Sequence, residues 1–339
     1  MKKKILYGVM LLTIIAIAIA IYGYSVLNTG FNIDKTVYLY INEDKNYDVL
    51  LKEIKDSAKV EDVSNFDRLA TFLSYKDNIR SGRYAVSPDM NIRDLIKKLR
   101  SGNQTPVKLR FNNIRIKEDL AERISTQLMF SKEEFLDALN NERKCEELGF
   151  NTNTIVAMFI PNTYEFYWDI SLEKFLARMK QEYGKFWNND RLNRAKEIGL
   201  SPTEVSVLAA IVEEECTYAD EYPTVAGLYL NRLKIGQALQ ADPTVKYAVG
   251  DFSLRRILNK HLKTESPYNT YRHTGLPPGP IRIPSIKGID AVLNYQKHDY
   301  FYMCAKEDFS GYHNFARTHA EHERNAAKYR KALNMRGIY

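Results

Sequence analysis

The sequence predicts an α+β protein: an amino-terminal transmembrane helix, then a small α+β module, then a larger mixed α/β domain. Three observations predict it. Lys2, Lys3 and Lys4 precede an uncharged run from Ile5 to Tyr24. Between residues 36 and 104, short strand-like and helix-like patterns alternate. From Ser201 onward, a strongly signalled helix opens a stretch of helical segments and polar-aromatic loops.

The chain has 339 residues, enough for two or three domains once the apolar start is set aside. With 45% hydrophobic and 27% charged residues it can bury a sizeable core, and no long segment has a disordered composition. Lys and Arg number 49 against 42 Asp and Glu, a formal charge of +7. This mild excess suits a lipid surface or an anionic wall polymer. The charge is spread along the chain, with no basic run interleaved with aromatics, so nucleic acid is not indicated as a partner. Cys145, Cys216 and Cys304 are odd in number and widely spaced. They form no C-x-x-C pair, hence no zinc ribbon, dithiol site or disulfide framework. One bridge or three buried thiols both remain open.

The run Ile5–Tyr24 is 20 residues. At about 1.5 Å per residue it spans roughly 30 Å, the hydrocarbon thickness of a bilayer. Tyr7, Tyr22 and Tyr24 lie near its ends, where amphipathic rings prefer the interface. A cleaved signal peptide would have a shorter apolar region and a small-residue exit, whereas Tyr22-Gly23-Tyr24-Ser25-Val26-Leu27 is a poor one. Residues 1–27 are therefore read as cytoplasmic lysines and a retained single-pass anchor in the cytoplasmic membrane. The positive-inside rule places the rest outside the cytoplasm. Residues 28–35 read as a polar linker.

In the 36–104 module, Val37–Ile41 is strand-like. Val49, Leu50 and Ile54, then Leu69, Phe72 and Leu73, recur at helical spacing. Ser81–Val86 is a turn entering a strand, broken by Ser87-Pro88. Ile92, Leu95, Ile96 and Leu99 form a helix closed by Gly102. The domain 105–339 begins with a strand, Val107–Phe111, and helices over Leu120–Leu128 and Phe135–Leu148, with a helical and aromatic insertion over about 130–200. Residues 158–168 are dense in aromatics. They either pack in core and loop or form a wall on which the apolar faces of sugars stack.

Ser201-Pro202-Thr203-Glu204 carries an N-cap, a proline at the first helical position and a capping box. The helix is expected to run to about Thr217, with an apolar stripe at Val205, Leu208, Ile211 and Val212. At ~100° per residue, Glu215 falls about 20° from Leu208, while Glu213 falls about 140° away. A carboxylate thus stands where a core residue is due, in a last turn whose dipole disfavours negative charge. Both effects raise a pKa toward that of a neutral-pH general acid. The alternative is an early helix end with Glu213, Glu214 and Glu215 all solvated.

Further segments follow in order: Leu208–Glu215, Ala226–Leu233, Leu239–Tyr247 around Gln240, Asp242 and Thr244, Ser266–Tyr271, Gly275–Ile281, and Gly311–Phe315 with the later His322. In order and spacing they resemble the endolytic murein transglycosylases, the YceG-like family, from about residue 205 to 322. The anchor also fits, and the 36–104 module resembles that family's LysM-like domain. The chain departs at Asn112-Asn113 for a usual Glu-Gly, Ser285 for Gly, Tyr295 for Pro, and Met303-Cys304 for Phe-Val.

The resemblance implies a catalytic domain with a glycan-binding cleft. It implies endolytic, lytic cleavage of the MurNAc-β-1,4-GlcNAc bond, leaving 1,6-anhydroMurNAc ends and trimming or terminating nascent strands. Peptidoglycan strands, the cytoplasmic membrane and cell-wall synthases are the implied partners. No cofactor is expected. An ordinary glycosidase needs two carboxylates. In a lytic cut the sugar's own 6-hydroxyl replaces water, so one carboxyl suffices. Glu215 is the expected catalytic residue, with Glu213 in support. Gln240, Asp242, Thr244, Tyr268, Asn269, Thr270, Tyr271 and His313 are the expected substrate contacts, although Asp242 before Pro243 is also a plain N-cap candidate. Leu276–Pro280 is a rigid segment suited to a cleft edge. His313 and His322 have no third ligand at metal spacing, so no metal site is expected. A wall-binding scaffold that does not cut, and a true hydrolase using Asp242, are the competing functional readings.

Overall fold

A computed structural model describes residues 2–112, 114–254 and 256–337. Asn113, one of the departures above, lies outside them. The chain divides into two compact units. One runs to Leu109 and includes 127–130 and 164–171; the other holds the remainder.

The first unit opens with helix α1, Lys2–Leu27. Among the described residues it is the one helix long and apolar enough to cross a membrane, and none of its apolar span is buried. Residues 28–35 are not a free linker. Thr29 and Phe31 are buried, Gly30 N–H donates to Glu61 Oε2 at 3.1 Å, and Phe31 bridges Val60. Strands β1 (Val37–Ile41) and, after helices α2 (Tyr47–Asp56) and α3 (Val63–Phe72), β2 (Gly82–Val86) pair antiparallel with Leu39 opposite Tyr84. The two-residue alternation buries Leu39, Ile41, Tyr84 and Val86 on one face. Asn46 and Asp62 cap α2 and α3 through their side chains. Helix α4, Ile92–Ser101, ends as expected on Gly102, whose φ of 68° favours glycine. Leu50, Ile54, Phe66, Leu95 and Leu99 share one core, against which Val26 and Leu27 also pack. Strand β3 is Val107–Arg110.

The second unit contains α5 (Lys117–Ser125), α6 (Lys132–Asn140) and α7 (Glu142–Glu147). The single helix expected over 135–148 is split. Asn141 leaves the helical region and accepts from Lys144 N at 3.0 Å, so a residue that favours capping starts a new helix. Strand β4, Thr163–Phe166, lies mostly in the first unit, where it pairs with β3. Of the aromatic run, Met158, Phe159, Ile160, Tyr164 and Phe166 are buried, and Phe159 meets Phe111, Phe135 and Phe175. Most of the run's apolar side chains are thus packing, while Tyr167 is exposed.

Helices α8 (Leu172–Phe186), α9 (Asn189–Glu197), α10 (Pro202–Glu215), α11 (Tyr222–Lys234), α12 (Asp242–Val249) and α13 (Ile286–Leu293) follow. Strands β5 (Tyr302–Ala305) and β6 (His313–Ala316) pair antiparallel, and α14 is His319–Met335. The capping box of α10 is complete: Ser201 N–H donates to Glu204 Oε2 at 2.7 Å, and Glu204 N–H donates to Ser201 Oγ at 3.2 Å. The apolar stripe is corrected. Val205 through Glu213 are all buried, because Ser206, Ala209 and Ala210 are also covered by neighbouring elements. Alpha10 is thus the central helix of its unit. It ends at Glu215, short of Thr217.

Candidate active site

The three consecutive acids of α10 have three different surroundings. Glu213 is buried. It accepts from Ser285 N at 2.9 Å and from Ser285 Oγ, and lies 3.6 Å from Arg282 Nε. A Cβ on Gly288 would stand 2.2 Å from Glu213 Oε1, so only glycine allows α13 this close. Glu214 takes Arg115 Nη2 at 3.0 Å and Arg282 Nη1 at 2.7 Å. Glu215 faces a cleft.

That cleft has a volume of about 250 Å³ and is lined by Glu215, Tyr229, Arg232, Gln240, Asp242, Tyr271 and His313, with Leu228 and the 303–305 strand. Tyr229 and Arg232 are one helical turn apart on α11 and present one face. The Tyr229 hydroxyl donates to Glu215 Oε1 at 2.8 Å. Arg232 is fixed by main-chain oxygens, Phe301 O at 2.6 Å and Leu239 O at 2.5 Å. Burial pushes the Glu215 carboxyl up to about 7. The Tyr229 hydrogen bond and the Arg232 charge pull it down, while Asp242 and Glu214 push it further up. Burial also raises Tyr229, with Glu215 adding to it, so the phenol stays protonated as donor.

Asp242 does not cap α12. The N-cap is Ala241, and no side chain caps the helix. Asp242 Oδ1 instead accepts from the Tyr271 hydroxyl at 2.6 Å. Burial, then that bond, hold Tyr271 far above the usual phenol range. Gln240 has a left-handed φ of 49°, uncommon for a side-chain-bearing residue, held by its N–H on Thr270 O at 3.1 Å. His313 begins β6, with its N–H and its ring Nδ1 each 2.9 Å from a Glu221 carboxylate oxygen.

Of the residues expected from sequence, Glu215, Gln240, Asp242, Tyr271 and His313 meet in the cleft, and Glu213, Thr244, Tyr268, Asn269 and Thr270 do not line it. Asn269 is fully buried, and its amide donates to Leu262 O at 3.0 Å and Thr264 O at 2.9 Å. Thr244 and Thr270 pair their hydroxyls at 2.8 Å in the core. Tyr268 lies against Tyr247, ring centroids 4.7 Å apart. Pro277 and Pro278 border a different hollow, beside Phe150 and Thr154. Among the described residues no group of three or more His, Cys, Asp or Glu is placed to hold a metal ion. Sequence reasoning missed Tyr229 and Arg232. Their signal was faint: Arg232 follows Tyr229 by one turn in a helix that also carries Thr224, Asn231 and Lys234.

Similarity to known proteins bears on this geometry. A 30% identical relative, covering 78% of this chain and 77% of its own length, is the endolytic murein transglycosylase of Bacillus subtilis. The Streptococcus pneumoniae endolytic murein transglycosylase is 24% identical over 90% of this chain, which spans 60% of that protein. The crystal structure of a yceG-like protein from Listeria monocytogenes superposes with a TM-score of 0.58 at 25% identity, covering 86% of this chain and 99% of that one. The family model described as YceG-like matches residues 39–328, so the chain belongs to the YceG-like family.

Proposed function

We propose that this protein cuts peptidoglycan glycan strands endolytically at the MurNAc-β-1,4-GlcNAc bond, leaving 1,6-anhydroMurNAc ends. The observation that carries this reading is Glu215, a carboxyl brought up to about 7 inside a cleft. The names of the relatives support it. Protonated Glu215 gives its proton to the glycosidic oxygen as the C1–O bond breaks. The carboxylate then takes the proton of the 6-hydroxyl as that oxygen bonds to C1. Tyr229 orients the carboxyl in both steps. Gln240, Asp242, Tyr271 and His313 hold the sugar. The cleft, about 250 Å³ and open to solvent, offers a polar-lined space for a sugar.

The 36–104 segment serves as a LysM-like module. Helix α1 spans the cytoplasmic membrane with its lysines inside, and the cleft works outside on strands delivered by cell-wall synthases. A second reading is favoured by one observation: Asp242 shares the cleft with Glu215. As a base, it would activate water and make the cut hydrolytic. The test is full-length protein in detergent, incubated with purified sacculi, with product ends read by mass spectrometry. Anhydro ends support the lytic route and reducing ends the hydrolytic one. No new ends would leave only a wall-binding scaffold.

A further inference from the structure

Glu221 is buried at the start of α11, and its side chain does not cap that helix. A buried carboxylate spent on something other than its own helix needs another use. Its two oxygens both face His313, 92 residues away: Oε1 accepts the main-chain N–H and Oε2 meets ring Nδ1, each at 2.9 Å. The approach to His313 is fastened to the same segment. Tyr312 stacks on Tyr218 with centroids 4.6 Å apart and donates its hydroxyl to Asp220 at 3.0 Å. Gly311, at φ 86°, fits under Tyr218, where a Cβ would lie 3.2 Å from the ring. The histidine is therefore held in place from both its backbone and its ring.

We infer that Glu221 is a positioning residue that fixes His313 as the Nδ1–H tautomer, leaving Nε2 as an acceptor for a sugar hydroxyl in the cleft. A carboxylate accepts only, so in a neutral ring Nδ1 must carry the proton, and Nε2 is left with its lone pair. His313 lines the cleft with Glu215, so that lone pair belongs to the same binding space. The sugar hydroxyl as partner rests on the glycan-cutting reading; the tautomer does not.

Glu221→Gln separates this role from simple packing. The main-chain N–H of His313 can only donate, so it claims the new amide's oxygen. The ring then faces the amide NH2, a donor, and Nδ1 must become the acceptor. The tautomer inverts to Nε2–H, and a cleft acceptor becomes a donor.

The experiment uses the full chain in detergent micelles with 15N-histidine, at a pH high enough that the spectra show a neutral ring. Long-range 1H–15N spectra report the protonated nitrogen, and the signal missing from His313→Gln identifies the ring. The expected result is Nδ1–H in the wild type and Nε2–H in Glu221→Gln. A roughly tenfold fall in kcat/KM on sacculi, the worth of one hydrogen bond to substrate, should accompany it. A wild-type ring protonated on Nε2, or a tautomer indifferent to Glu221→Gln, would overturn the positioning role. Inversion with unchanged kcat/KM would overturn the acceptor role. Should Glu221→Gln not fold, the wild-type tautomer alone decides. If the tautomer inverts and neither protein releases wall fragments, the cutting reading fails while the hold of Glu221 on His313 stands.

Discussion

Tyr229 donates its hydroxyl to Glu215 Oε1 at 2.8 Å from one turn of α11, while Arg232 lines the same cleft one turn on. A hydroxyl bound to a carboxylate favours its charged form, as does a nearby guanidinium. Burial works the other way and prevails, bringing the carboxyl to about 7. The group is balanced between opposing effects, so small changes around it should register in the pH profile.

Glu215→Gln keeps the shape and the acceptor for Tyr229 but cannot give up a proton. General acid–base help is worth roughly 10²–10⁴ in rate, and release of muropeptides from sacculi should fall by at least ~10². The melting temperature should hold or rise, since a buried carboxyl is removed. Full activity in this variant would remove α10 from the chemistry.

Activity should decline as pH rises through about 7, because the donor loses its proton there. Tyr229→Phe deletes a bond that favours the ionised form, so this limb should move to higher pH. Stability follows the same sign. The folded pKa is raised above the unfolded ~4.3, so folded protein binds more protons in that window. This contribution is complete below the unfolded value and is lost as pH rises toward 7. Rate profiles and melting curves measured across pH 4 to 9 check both.

Asn269→Ala should destabilise by about 2 kcal/mol or more, because it orphans the main-chain carbonyls of Leu262 and Thr264. Turnover per folded molecule should change little, since Asn269 does not line the cleft. Urea denaturation beside an activity assay separates the two. A large activity loss at unchanged stability would return the residue to the substrate.

Gly288→Ala should cost about 1–3 kcal/mol, since its methyl would collide with the Glu213 carboxyl. Glu213→Gln should cost less activity than Glu215→Gln, because its carboxyl holds Ser285 and lies outside the cleft. If Glu213→Gln proves the dead variant, the assignments are reversed.

A reporter enzyme fused after Tyr339 should be active only outside the cytoplasm, as Lys2–Lys4 before the apolar helix require. Cytoplasmic activity, or a shortened chain released from the membrane, would overturn the anchor.

Much of this was written in local chemistry. The capping box of α10, the closure of α4 on Gly102 and the alternation of β1 are short-range patterns, and all appear in the structure. Glu215 was selected over Glu213 from a stripe that does not exist, since α10 is covered on all sides as far as Glu213. The choice reached the cleft because residues two apart on a helix face nearly opposite ways, one toward α13 and one toward Tyr229. What stayed hidden depends on pairing across long stretches of chain. Thr244 meets Thr270, and Glu221 meets His313, through contacts that no periodicity encodes. In the 268–271 loop, adjacent residues divide between core and cleft: Asn269 and Thr270 turn inward, and Tyr271 alone reaches Asp242.

The clip that joins α1 to the first unit sets how far that unit can wander. Eight residues of loose chain would give a leash of about 16 Å root-mean-square reach. Here Val26 and Leu27 are packed into the core, and Gly30 and Phe31 are fastened to Glu61 and Val60, so that slack is gone. If α1 is seated in a bilayer, as proposed above, the helix would act as a mast. The first unit would then ride at a fixed height over the lipid and sweep laterally only as fast as its anchor diffuses.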